Sequence, residues 1–266
     1  MQNVLFVSII LFSFGINAQQ LSIYPTIINF QLNEPGSVET QTINITNKSQ
    51  KVQSIQANFG DWDRNEDGSH EYLEAGTHKN SCAKWASLNT TLLDIAPGET
   101  AQLVLSLKAP DSPEELMRMK WAMLFIQGAK IKEPEAEVVG KVSTRINEVV
   151  RMGLHIYQTP GRLDLRSAVV HELHQSEKDN KAYDLLVENN GQVMVRTKSY
   201  LELVNMSTGE EFRTNLEETP IFPLGKRKVS LHLPENLPTG KYSMLAIMDY
   251  GDPNKLEAIE RIVEIN

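Results

Sequence analysis

The stretch VETQTINITNKSQKVQSIQANF, residues 38–59, decides the architecture. Val38–Thr46 alternates apolar and polar residues, Asn47-Lys48-Ser49 turns the chain, and Val52–Phe59 alternates again. A period of two puts every second side chain on one face of an extended strand. Asn and Ser bring the short side-chain acceptors that close tight turns. The stretch therefore predicts two half-buried strands joined by a turn.

The same pattern continues in both directions. Towards the N-terminus, Leu21–Leu32 alternates loosely and ends in the turn Glu34-Pro35-Gly36. Towards the C-terminus a polar loop is expected over Asp61–Asn80, then a strand pair Leu92–Ile95 and Leu103–Leu107 around Ala96-Pro97-Gly98-Glu99. Ser112-Pro113-Glu114-Glu115 has the residues that open a helical turn. Trp121–Ile126 is an apolar run long enough for a buried strand and short for a helix, and Lys130–Glu137 reads as a charged loop. Val149–Tyr157 alternates again, and Gln158-Thr159-Pro160-Gly161 marks a boundary, after which strands and turns resume to Ala258–Ile265. Both halves carry a similar strand end followed by a turn, NIT in the first and VEN in the second. Strands recurring every eight to twelve residues with Gly, Pro and Asn turns predict an all-β chain of two tandem immunoglobulin-like sandwiches. The expected domains are 19–159 and 160–266.

Composition narrows the function. The 266 residues are 41% apolar and 23% charged, with a net charge of −8. That balance fills a core and lacks the dense basic face that nucleic acid requires. The single cysteine, Cys82, excludes an intrachain disulfide framework. Residues 1–18, MQNVLFVSIILFSFGINA, read as a secretory signal peptide, with the apolar run Val4–Phe14 too short to span a bilayer and Ala18 at the cleavage position. No later segment has the length of a membrane helix. The expected product is an exported protein starting near Gln19.

Residues 21–130 resemble the N-terminal domain of the PapD-like periplasmic chaperones that assemble pili. The resemblance runs through Leu21–Phe30, INITNKSQKVQSIQANFGDW at 43–62, IAPGE at 95–99, LVLSLKAP at 103–110 and WAMLFI at 121–126. The strand 150–157 before Pro160 resembles that family's seventh strand, and PTGKYSMLAIMDYG at 238–251 is similar to immunoglobulin-like modules of exported bacterial proteins. The resemblance implies a non-enzymatic periplasmic or surface-directed chaperone that binds a protein client by strand addition. The alternative is a scaffold subunit of a secretion or surface machine. In that family an Arg on the first strand and a Lys on the seventh anchor the client's terminal carboxylate. The matching first-strand position is Ile27, no Arg or Lys precedes Lys48, and the nearest cation on the seventh strand is Arg151.

Within that strand Val150, Met152, Leu154 and Ile156 share one face, and Arg151, Gly153, His155 and Tyr157 the other. Either the apolar face receives a partner, with Arg151 beside it, or all four residues are core. Asp63, Asn65, Asp67 and Glu74 are spaced like calcium-loop ligands around Gly68, but no helix enters the loop, and a solvated hairpin is the favoured reading. No cofactor is implied. His171 and His174 lack the i, i+4 spacing of a zinc helix, and no nucleophile motif surrounds Cys82. Trp62, Trp85 and Trp121 read as core residues, with a sugar-stacking platform as the alternative.

Overall fold

The computed structural model describes residues 20–128, 150–161 and 165–265. The expected signal peptide, Val149 and the charged stretch 130–137 lie outside the described residues.

The first domain contains β1 (Leu21–Tyr24), β2 (Ile27–Phe30), β3 (Val38–Asn47), β4 (Gln53–Arg64), β5 (His70–Leu73), β6 (Ala86–Leu88), β7 (Leu92–Ile95), β8 (Thr100–Lys108), the single helical turn α1 (Pro113–Leu116), β9 (Lys120–Gly128) and β10 (Arg151–Gln158). One sheet has the order β1-β3-β8-β6. The facing sheet runs β2-β10-β9-β4-β5, with β7 also on β4. Between them lies one core that includes Ile28, Ile43, Ile45, Leu103, Leu105, Leu124, Leu154 and Ile156. These residues are the alternating apolar positions of their strands, so the two-residue period is satisfied by burial on one face. The second domain contains β11 (Val169–Gln175), β12 (Ala182–Glu188), β13 (Val195–Asn205), β14 (Glu211–Arg213), β15 (Glu217–Ile221), β16 (Lys226–His232), β17 (Gly240–Asp249) and β18 (Glu257–Ile265). Its sheets, β11-β12-β16 and β14-β13-β17-β18 with β15 on β13, enclose a second core around Leu185, Leu203, Leu231 and Met244. The all-β tandem-sandwich expectation holds.

Two expectations need correction. Leu21–Leu32 is two strands in different sheets: β1 pairs β3 antiparallel, and β2 pairs β10 parallel. Pro25 stands between them, and without an N–H it cannot continue a ladder. The polar segment after Asp61 is a hairpin for much of its length, because β4 extends to Arg64 and β5 returns against it from Arg64↔His70 to Asp61↔Leu73.

The turns at the two similar strand ends share one device. Asn47 is fully buried, and its Nδ2 donates to Lys51 O and Ile95 O at 2.7 and 2.8 Å while its Oδ1 accepts the Ser49 N–H. Asn189 repeats this arrangement, donating to Val193 O and Ile221 O at 2.9 and 2.8 Å and accepting the Gly191 N–H. In each domain one buried amide ties the turn to the end of a neighbouring strand, so its own polar atoms are satisfied inside the protein.

Candidate functional site

The pairing of β10 is uneven. Along one side it is matched by β9 over its whole length, from Arg151↔Gln127 to Gln158↔Lys120. Along the other side β2 covers only His155 to Gln158. The last bond on that side runs from the His155 N–H to Thr26 O at 2.9 Å. Backbone groups of alternate residues point to the same strand edge, so the N–H and C=O of Gly153 and Arg151 point where β2 has ended. No strand pairs that side of residues 151–154 among the described residues. Such an edge is a template for another strand.

The side chains divide at the same place. Leu154 and Ile156 are 1% and 0% exposed, inside the first core. This corrects the expectation that the whole face Val150–Ile156 meets a partner. Two of the four residues are core, because β2 lays Ile28 in register with Ile156 and closes the sandwich there. Beyond the end of β2 the cover stops: Met152 is half-buried and Val150 is 64% exposed. Ile27, at the start of β2, is 54% exposed.

The opposite face of β10 packs into an aromatic cluster of Trp62, Trp121, Phe125 and Phe222, with Tyr157 against it. Arg151 places its guanidinium 3.4 Å from the Phe125 ring centroid, a cation–π contact. A side chain at Gly153 would meet Met123 Sδ at 2.9 Å, so glycine keeps this face open to the packing below. His155 lies edge-on to Trp62 and approaches His70, Nε2 to Nε2, at 3.4 Å. Burial, with His70 and Arg64 nearby, holds the His155 imidazole down to about 4. The residue in register with Ile27 is His155, and Arg151 stands four residues further along the strand, roughly 13 Å away at the strand rise. Arg151 is thus not the neighbour of the Ile27 position.

Phe222 comes from the second domain, so the cluster joins the two sandwiches. Backbone bonds reinforce the junction: Met119 N–H donates to Gln192 O at 2.7 Å, and Lys228 N–H to Glu66 O at 2.9 Å. Trp62 and Trp121 are fully buried there and present no stacking platform to solvent.

The remaining sequence candidates are dispersed. Asp63 Oδ2 lies 3.2 Å from His78 Nε2, and this contact holds the Asp63 carboxyl below its usual range. Asn65 Oδ1 accepts the Ser69 N–H at 2.9 Å. Asp67 faces Lys178 and Lys228 at 3.8 and 3.7 Å, and Glu74 lies beyond β5. Among the described residues no three His, Cys, Asp or Glu side chains gather around a point that could hold a metal ion. His171 pairs with Glu188 at 2.7 Å. Cys82 is fully buried, and burial pushes its thiol far up, so it is no nucleophile. The uneven cover of β10 was not readable from its own residues, since it depends on where β2 ends.

No protein-family model matches the sequence, and no curated protein matches it. Solved structures do resemble it. A chaperone–tip adhesin complex of CFA/I fimbriae biogenesis aligns over 92% of this chain and 98% of its own, at 10% identity and a TM-score of 0.53. The class 5 fimbriae chaperone CfaA aligns over 91% and 98%, at 11% identity and a TM-score of 0.49. The E. coli chaperone DraB aligns over 92% and 97%, at 14% identity and a TM-score of 0.43. The first of these likenesses shows a shared fold, two β-sandwiches in tandem.

Proposed function

We propose that the protein is an exported, non-enzymatic chaperone or assembly factor that captures an extended segment of a client protein on the free edge of β10. The observation that carries this reading is the edge at Arg151 and Gly153, which no strand pairs among the described residues, flanked by exposed Val150 and half-buried Met152. In strand addition the backbone ladder supplies affinity and the alternate side chains supply selectivity. The edge has both parts. The similarly folded chain from a chaperone–tip adhesin complex supports the same reading. The leader-like residues 1–18 support export, and the periplasm or cell surface is the compartment where a client of this kind would be met. We take the two domains to divide at residues 159 and 160.

The test is Arg151→Pro. Proline removes one edge N–H without removing a bond to β9, and edge positions tolerate it. The variant should fold and lose co-purification of extracytoplasmic client chains. Undiminished client capture by the folded variant would refute strand addition. A chaperone should also exchange among many clients, whereas a scaffold subunit would keep one fixed set of partners.

A further inference from the structure

The tip of the β4–β5 hairpin is pressed against β16 of the second domain. Lys228 N–H bonds to Glu66 O, and a Cβ on Gly68 would fall 2.2 Å from Arg227 Nη2. Gly68 has a φ of +88°, so it supplies both the turn and the space in which the Arg227 guanidinium rests. Arg64 stands in the last strand pair before the loop of the same hairpin, opposite His70.

Three donors in this seam have no acceptor among the described residues: Arg64 Nε, Arg227 Nε and Arg227 Nη1, all shielded from solvent. The carboxylate that faces Arg227 is Asp67, and it is shared with Lys178 and Lys228. The groups facing Arg64 from β5 and β10 are His70, His155 and Tyr157, none of them an anion. Burial and the Arg64 charge together push Arg227 below its usual range. Two guanidiniums from two domains thus share one carboxylate, Asp67, which two lysines also approach, and three of their shielded donors have no hydrogen-bond acceptor among the described residues. Charged donors in such a place are strongly destabilising unless an acceptor fills the gap.

We propose that this seam is an oxyanion site, with a tetrahedral ion of the phosphate or sulfate type seated between Arg64 and Arg227 and bridging the two domains. Guanidinium forks are suited to oxyanions. A tetrahedral ion offers acceptors in diverging directions, which suits donors carried by two separate side chains, whereas a planar carboxylate offers one edge. The site is separate from strand capture on β10 and does not depend on it.

The test uses the whole chain, inorganic phosphate as the probe, and sodium chloride to hold ionic strength constant. Phosphate should raise the Tm saturably, by about 5 °C or more at a large excess over its Kd, and acetate should not. Arg227→Gln should abolish that response and raise the Tm in the absence of phosphate, because it removes one of two neighbouring like charges. Arg64→Gln should behave the same way and serves if Arg227→Gln does not fold. Arg227→Lys, which keeps the charge and loses the fork, should weaken phosphate binding about tenfold. An absent rise would overturn the proposal, as would an unsaturable rise that persists in Arg227→Gln, the signature of general exclusion from the surface. A response to acetate equal to that for phosphate would also overturn it, and so would a lower phosphate-free Tm in both glutamine variants.

Discussion

Truncating Leu154 and charging Val150 should have opposite consequences, although the two residues share one face of one strand. Leu154 is 1% exposed and belongs to the first core. Leucine-to-alanine changes at such sites cost about 2–5 kcal/mol through lost transfer free energy and the cavity left behind. The site sits between the two sheets with β9 paired alongside it, which leaves little freedom to collapse, so about 3 kcal/mol is a fair expectation for Leu154→Ala. In a chain of this size each kcal/mol moves the Tm by about 2–4 °C, giving a fall of about 6–12 °C. Val150 is 64% exposed and lies outside the ladder, so Val150→Glu should change stability by no more than about 0.5 kcal/mol. Its effect should appear in binding, where a carboxylate is placed beside the incoming strand. Calorimetric melts run in parallel with client pull-downs measure both quantities. If Leu154→Ala melts with the wild type, or Val150→Glu melts with Leu154→Ala, the division of β10 into a core half and a receiving half is wrong.

Other expectations follow from buried polar groups. Asn189→Leu should cost about 2–4 kcal/mol, because it leaves Val193 O, Ile221 O and the Gly191 N–H without the amide, and Asn47→Leu should cost a similar amount; denaturant melts check both. Lowering the pH should destabilise the protein between about 6.5 and 4: the folded state holds the His155 imidazole at about 4, so the unfolded chain binds a proton there that the folded one does not. His155→Phe should flatten that part of the stability–pH curve, and a stability that rises on acidification through this window would refute the assignment. The Cys82 thiol, fully buried and pushed up by that burial, should resist alkylation in the native state and be labelled only as fast as the protein opens.

Local chemistry by itself determined a large part of this molecule. Alternation in 38–59 becomes β3, the Asn47 turn and β4, and Ser112-Pro113 opens α1, because strand periodicity and turn residues act over a few positions. The buried run at 121–126 becomes β9, and the similar strand ends of the two halves lead into turns that Asn47 and Asn189 hold in the same way. Other features were decided by residues far apart in the chain. Period two places Val150 and Leu154 on one face, but only the extent of β2, 120 residues earlier, decides that one is exposed and the other is core. The segment after Asp61 reads as a polar loop because its strand pairing and its dock on β16 are long-range contacts that leave no local period. Arg64 and Arg227 are ordinary surface-type residues in the sequence. They become partly buried neighbours with shielded donors in the packed chain, because burial and charge proximity are properties of the packed chain and are not properties of any segment of it.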